Sequence, residues 1–331
     1  QKINYLFMLV LIMSVNSYAD NKIPIEKLVC YGESTGIDIS PDGKFYAALI
    51  PSGEVSCDIT TPEEDVAVPI LVVVNLETME TKQYSGTKIN SRVDGASFLN
   101  NETLLISRSC ARGAGTSGTV DCYTLYGLNV ITGKTEPLIQ AKQTKSGQGI
   151  RYPRLFDSMP QFPNKIIITL NRMPQYPGRF RDLYWLDLET KRTTKIAEVP
   201  NIQDEQFGSW LVDHDGVARG FTTSHDRNKD YKPNSDKDGL FTYVYLMDPD
   251  TQEYSRMTQC RHQEPCFMPL EFDFDNRFLF GVGQAVLPDG SLDPNLEYTD
   301  TNALWLYDTK DKKYVEKVFH DPKFDFSNPR Q

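Results

Sequence analysis

Apolar and polar residues alternate over short stretches along most of the chain, and the stretches are rich in aromatic and β-branched residues. This period-two pattern predicts strands rather than helices. Two kinds of turn separate the stretches and recur in strict alternation. The first is a tight hairpin, seen as Ile39-Ser40-Pro41-Asp42-Gly43-Lys44-Phe45, Phe98-Leu99-Asn100-Asn101-Glu102-Thr103-Leu104 and Phe162-Pro163-Asn164-Lys165-Ile166. It returns as Val212-Asp213-His214-Asp215-Gly216-Val217 and Phe272-Asp273-Phe274-Asp275-Asn276-Arg277-Phe278. Asp, Asn and Gly supply the left-handed or side-chain-closed conformations that such turns need.

The second turn follows an aromatic or aliphatic run, as in Val73-Val74-Asn75-Leu76-Glu77-Thr78 and Gly127-Leu128-Asn129-Val130-Ile131-Thr132-Gly133-Lys134. Three more copies are Tyr184-Trp185-Leu186-Asp187-Leu188-Glu189-Thr190, Tyr245-Leu246-Met247-Asp248-Pro249-Asp250-Thr251 and Trp305-Leu306-Tyr307-Asp308-Thr309-Lys310-Asp311. Their polar anchors Asn75, Asn129, Asp187, Asp248 and Asp308 lie 54, 58, 61 and 60 residues apart. One period therefore holds two hairpins, which is one four-stranded antiparallel sheet. Five such periods in line match the blades of a β-propeller, whereas an immunoglobulin sandwich has no reason to repeat its turn chemistry at this interval.

The expected fold class is all-β: a β-propeller of about five visible four-stranded blades, at residues 31–85, 90–140, 150–198, 203–258 and 266–320. The one weak helical candidate is Ile23 to Val29, which reads as a short helical turn or an entry strand. Each blade buries its faces against the next, so a propeller needs ring closure or protected edges. No sixth aromatic strand follows Phe324-Asp325-Phe326-Ser327-Asn328-Pro329-Arg330-Gln331. Either five blades close by themselves, or the ring is incomplete.

The start of the chain changes the picture. Gln1-Lys2-Ile3-Asn4 leads into the apolar run Tyr5 to Met13 and then into Ser17-Tyr18-Ala19-Asp20. A basic residue, an apolar core shorter than the ~20 residues that span a bilayer, and a small-x-small site make residues 1–19 a secretory signal peptide, with cleavage expected before Asp20. Residues 20–331 are then the β-propeller, exported to the periplasm or secreted, with no membrane association after cleavage. The initial Gln in place of Met suggests a sequence that begins inside its reading frame. The 35 basic and 45 acidic residues give a net charge of −10, which repels phosphate backbones and anionic lipid and speaks against nucleic acid as a partner.

Export also places the six cysteines, Cys30, Cys57, Cys110, Cys122, Cys260 and Cys266, where disulfides persist. Six cysteines allow about 15 pairings. Cys110 with Cys122 and Cys260 with Cys266 enclose short loops between strand signals, which leaves Cys30 with Cys57. A zinc site is disfavoured, because no two cysteines stand in C-x-x-C spacing and the histidines are scattered.

Several motif matches fail on context. Gly32-Glu33-Ser34-Thr35-Gly36 fits the hydrolase nucleophile elbow, but the strand Ile37 to Ser40 and the turn Pro41-Asp42-Gly43 leave no room for the helix that Ser34 would need. Gly113-Ala114-Gly115-Thr116-Ser117-Gly118 fits a dinucleotide fingerprint, yet another strand follows it, which makes it a hairpin loop. Asn234-Ser235-Asp236-Lys237-Asp238-Gly239 resembles the opening of a calcium loop, but the closing acid is replaced by Tyr245, so the stretch from Asp226 to Asp238 reads as a long polar hairpin tip, with an irregular calcium site as the alternative. His214, His225, His262 and His320 fall in turns or loops and read as solvated. Glu63-Glu64-Asp65 reads as a surface acid cluster. No catalytic residue, cofactor site or metal site is expected in this chain.

Ser40-Pro41-Asp42-Gly43-Lys44, Trp210-Leu211-Val212-Asp213-His214-Asp215-Gly216-Val217-Ala218-Arg219 and Val318-Phe319-His320-Asp321-Pro322-Lys323-Phe324-Asp325 together resemble exported bacterial serine peptidases of the prolyl oligopeptidase family, particularly its dipeptidyl and acylaminoacyl peptidase-like members. The likeness runs over nearly all of residues 20–331. Its first motif is common to many propellers; the second and third are more specific. The resemblance implies a propeller that precedes a C-terminal α/β-hydrolase domain with a Ser-Asp-His triad and restricts the active site to short peptides. Its implied partners are thus a hydrolase domain in cis and the peptide substrates of the parent enzyme. The triad has no counterpart here, and Glu63-Glu64 lacks the pattern around the Glu pair with which dipeptidyl peptidases hold a substrate amine. The expectation is a substrate-gating propeller, truncated before its catalytic domain. The alternative is a stand-alone periplasmic propeller, similar in kind to the Tol-associated propeller, that binds a protein or glycan on its rim loops.

Overall fold

The computed structural model describes residues 35–51, 69–84, 91–110, 123–143, 150–171, 181–202, 205–226, 240–261, 266–296 and 301–326. Those residues form strands and turns and no helix. The first sheet has the order β1 (Thr35–Ile39), β2 (Phe45–Pro51), β3 (Pro69–Asn75), β4 (Thr81–Tyr84). The second is β5 (Ser91–Phe98), β6 (Thr103–Cys110), β7 (Leu125–Asn129), β8 (Thr135–Ile139). A two-stranded ribbon, β9 (Lys142–Gln143) and β10 (Ile150–Arg151), leads into the third sheet. That sheet is β11 (Pro153–Asp157), β12 (Lys165–Asn171), β13 (Arg181–Asp187), β14 (Thr193–Ala197). The fourth is β15 (Gln206–Val212), β16 (Ala218–Asp226), β17 (Leu240–Met247), β18 (Tyr254–Arg261), and the fifth is β19 (Phe267–Phe272), β20 (Phe278–Gly283), β21 (Ala303–Asp308), β22 (Lys313–Phe319).

Each of the five four-stranded sheets is an up-and-down run of consecutive strands, and the fold is a β-propeller. Among the described residues no strand from one end of the chain completes a sheet at the other. The chain divides into two compact units, residues 1–98 with 106–114 and residues 99–105 with 115–331.

The repeated turns have a common cause. In the β3–β4, β7–β8, β13–β14, β17–β18 and β21–β22 hairpins, the Oδ1 of Asn75, Asn129, Asp187, Asp248 or Asp308 accepts hydrogen bonds from the backbone N–H groups two and three residues on. This side-chain mimic of a backbone turn closes the hairpin locally. The residue four positions after each anchor is left-handed: Met79, Gly133, Lys191, Gln252 and Lys312 have φ of 59°, 71°, 58°, 59° and 53°. The β1–β2, β15–β16 and β19–β20 turns are closed by a wider version of this device: Ser40 Oγ accepts from the Lys44 and Phe45 N–H groups, Asp213 Oδ1 from those of Asp215 and Val217, and Asp273 Oδ1 from those of Arg277 and Phe278.

Central strands abandon the period-two pattern where both faces are covered. Ile166, Ile167 and Ile168 of β12 are consecutive and all fully buried. Ile166 and Ile168 pack with Leu105, Leu125 and Leu138 of the second sheet, while Ile167 packs with Trp210 and Phe221 of the fourth. Each such side chain contributes roughly 1.5–3 kcal/mol of burial. The next layer joins Val244, Leu246 and Met257 of the fourth sheet to Phe267, Leu279 and Trp305 of the fifth. In the other unit, Ala47, Ala48, Leu71 and Val73 are buried, and the Asp38 carboxylate accepts the Phe98 N–H at 2.6 Å.

The fourth and fifth sheets are also tied by Lys312, whose Nζ lies 2.7 Å from Asp248 Oδ2. The Lys312 hydrogen bond, helped by the N–H groups of Thr251 and Asp250, holds the Asp248 carboxyl down at about 2, against an ordinary 3.8. A depressed carboxylate stabilises the fold above its unfolded pKa and loses that contribution as the pH falls through the folded one. The stability gap between the native chain and Lys312→Met should therefore be constant above about pH 5 and close between pH 4 and pH 2. Urea midpoints measured across that range check it.

Candidate functional site

Within each sheet the two short turns lie at one end, and the connection from the second strand to the third lies at the other. Those connections are residues 52–68, 111–124, 172–180, 227–239 and 284–302. Ligand-contacting residues concentrate at such connections, because a rigid sheet holds them while their sequence is free of packing duties.

At that end of the third sheet the strands assemble a basic and aromatic cluster. Arg154 pairs with Thr169 across β11–β12, and Asn171 pairs with Arg181 across β12–β13. Directly paired residues share a face, so Arg154 and Arg181 flank β12 on the same side. The phenol of Tyr152 lies near the Arg181 guanidinium and favours its charged form. Tyr152 stacks on Tyr123 with ring centroids 4.9 Å apart, and the Arg154 guanidinium lies 5.2 Å from the Tyr152 ring centre. On the opposite face Arg151 donates to the Tyr184 hydroxyl at 3.5 Å, and Lys142 pairs with Arg151 across the β9–β10 ribbon.

The cluster is held from beneath. Asn171 is buried; its Oδ1 accepts the Tyr152 N–H at 2.8 Å and its Nδ2 donates to the Ile150 carbonyl at 3.0 Å. This fixes the short segment that carries Tyr152 and aims Arg154. From the fourth sheet, the Trp210 indole N–H donates to the Arg181 carbonyl at 2.8 Å, anchoring the start of β13.

Three arginines elsewhere each meet a carboxylate. Arg219 meets the buried Asp213 at 2.6 Å, Arg277 meets Asp308 at 2.6 Å, and Arg256 lies 3.6 Å from Glu205. Glu205 is further held by the hydroxyls of Thr223 and Tyr245. Arg151, Arg154 and Arg181 have no carboxylate partner among the described residues, although the whole chain carries ten more acids than bases. Burial, together with the neighbouring Arg154 charge, pushes the Arg181 guanidinium below its ordinary pKa. Its Nε is buried without a hydrogen-bond acceptor, a condition that costs about 1–3 kcal/mol. The arrangement can receive an anion and present a planar donor fork to it.

Cys260, at the end of β18, and Cys266, just before β19, form a disulfide with Cα atoms 5.1 Å apart, as their spacing suggests. Cys110 is the last residue of β6. Cys30, Cys57 and Cys122 lie outside the described residues, as do the signal segment, Ser34, the Gly113 to Gly118 run, Glu63 to Asp65, Asn234 to Gly239 and His262. The expectation of solvated histidines fails at His214. Its ring stacks on Phe274 at 5.0 Å and its Nε2 donates to the Phe272 carbonyl at 2.9 Å. His320 Nε2 lies 3.0 Å from the Thr301 hydroxyl, and His225 lies on β16 rather than in a turn. Among the described residues no three His, Cys, Asp or Glu side chains group to hold a metal ion, and no helix is long and apolar enough to cross a membrane.

The basic cluster escapes sequence reading. Its local trace is Arg151-Tyr152-Pro153-Arg154, and Arg181 joins it only through the strand register.

No family model and no curated protein matches the chain. It is similar to several solved structures. An oligogalacturonate lyase in complex with manganese is 14% identical, with 87% of this chain and 65% of the other covered and a TM-score of 0.45. The β-propeller domain of the trilobed protease from Pyrococcus furiosus is 11% identical over 85% of this chain and 70% of that one, with a TM-score of 0.42. Porphyromonas gingivalis dipeptidyl peptidase 4 is 12% identical over 86% of this chain and 36% of that one, also at 0.42. The chain thus spans less than two thirds of the lyase and about a third of the peptidase.

Proposed function

We propose that this chain is the substrate-gating propeller of an exported serine peptidase of the prolyl oligopeptidase family, and that it positions peptides for a hydrolase domain rather than cutting them. The observation that carries this reading is the uncompensated basic and aromatic cluster at the long-connection end of the third sheet. A propeller whose short turns are closed at one end and whose ligand-ready side chains sit at the other is built to receive a substrate. The peptidase-like motifs around Ser40, Trp210 and Val318 support the family.

In this reading, acyl transfer to water belongs to an α/β-hydrolase domain in cis, with its serine, histidine and aspartate in their usual roles. The propeller contributes access control and orientation of the peptide. Expression of the complete reading frame and of residues 20–331 alone tests the division of labour. The complete protein should hydrolyse short peptides and lose that activity to a serine-directed fluorophosphonate, while residues 20–331 show no turnover. Turnover by residues 20–331 that disappears in Ser34→Ala, or a reading frame that stops after Gln331, would overturn the proposal.

A further inference from the structure

The third sheet carries a more specific inference, which rests on the reading that this chain holds peptides. We propose that Arg154 and Arg181 form a subsite for the carboxylate of a short peptide, with the Tyr152 ring against Arg154 and Tyr123 stacked on Tyr152 as its wall. Two guanidinium groups on one face of a sheet repel each other, and both are left without a carboxylate among the described residues. In folded proteins a partly buried arginine is normally paired, as Arg219, Arg256 and Arg277 are here. Arg181 instead keeps a buried Nε with no acceptor.

A bound carboxylate relieves the charge imbalance between the two guanidinium groups. It supplies acceptors in the plane of the guanidinium, offsets the repulsion between Arg154 and Arg181, and needs no rearrangement of the backbone that Asn171 already holds. Tyr152 is engaged by Tyr123 and by Arg154, which leaves little ring face for stacking a sugar. That geometry favours a peptide carboxylate over an acidic glycan. Since β11 and β13 hold the two arginines on either side of β12 in one rigid sheet, the subsite should be preformed.

Isothermal titration calorimetry on residues 20–331 tests this without any hydrolase domain. The probes are Ala-Pro-Ala as free acid, the same tripeptide as amide, Ala-Glu-Ala amide, inorganic phosphate and a uronate trisaccharide. The free acid should bind about tenfold more tightly than the amide, and its affinity should fall as salt rises from about 50 to 300 mM. Comparable binding of Ala-Glu-Ala amide assigns the subsite to any peptide carboxylate; its absence assigns it to the chain terminus. Both outcomes support the proposal. Arg154→Met, at an exposed position, should weaken free-acid binding about tenfold, and Arg181→Lys should weaken it less than Arg181→Met because charge survives while the fork is lost.

Equal affinity for acid and amide, unchanged binding in Arg154→Met, or binding of phosphate or the trisaccharide in preference to every peptide would overturn it. Failure of the peptidase reading would appear separately, in the turnover assay of the complete protein.

Discussion

Replacing Gly283 with alanine is expected to lower the stability of the fifth sheet by more than about 3 kcal/mol, the range reserved for backbone and core disruption. Gly283 has φ of +125°, and a Cβ there would sit 1.7 Å from the Cys266 carbonyl oxygen, a backbone atom. The clash cannot be relieved by a side-chain rotation. Gly283 pairs with both Phe267 and Ala303, and its own carbonyl accepts the indole N–H of the buried Trp305 at 3.0 Å. Moving it therefore disturbs two ladders and the core of the sheet at once. Gly43→Ala is the matched control, because Gly43 is also left-handed, with φ of +72°, but has open space around it. That substitution should cost only the conformational strain, about 1–2 kcal/mol. Urea denaturation of both variants checks the contrast, and equal losses would show that crowding at Cys266 has no weight.

The second large effect is expected at Asp213. Its side chain is fully buried at the β15–β16 turn, where Oδ1 accepts the N–H groups of Asp215 and Val217 and Oδ2 takes the Arg219 Nε–H at 2.6 Å. Asp213→Ala leaves two turn donors and one partly buried guanidinium without their acceptor. Breaking a buried charge pair from one side costs about 3–5 kcal/mol, and the exposure of Arg219 places this case at the lower end. Asp213→Asn should recover part of the loss by keeping Oδ1 for the turn. Asn100 shows that an amide serves a hairpin in this role, accepting from the Glu102 and Thr103 N–H groups. A loss in Asp213→Asn equal to that in Asp213→Ala would assign the whole effect to Arg219.

The turns were legible in the sequence because each depends on one side-chain acceptor at a fixed place. Asn75, Asn129, Asp187, Asp248 and Asp308 mark the repeat, and each closes its hairpin. The left-handed residues four positions later were not legible. Only Gly133 announces such a conformation; Met79, Lys191, Gln252 and Lys312 adopt it because the anchored turn leaves no alternative. The Cys260–Cys266 pair could be read from its closeness along the chain. The basic cluster could not, because Arg154 and Arg181 meet through a strand register that no local spacing encodes. His214 read as solvated for a related reason. Its partners Phe272 and Phe274 come from the next sheet, nearly sixty residues away.

The order of strands within the sheets has a consequence for how the chain acquires its structure. Each four-stranded sheet draws all of its strands from one uninterrupted stretch, and its hairpins are sealed by their own side chains. Few loops must close over long separations before a sheet gains its ladder, so the entropic barrier of a typical all-β topology is reduced. A blade can take shape as a unit and wait for its neighbour to cover the remaining apolar face. Amide exchange under native conditions should accordingly reveal sheet-sized groups of protons that open together.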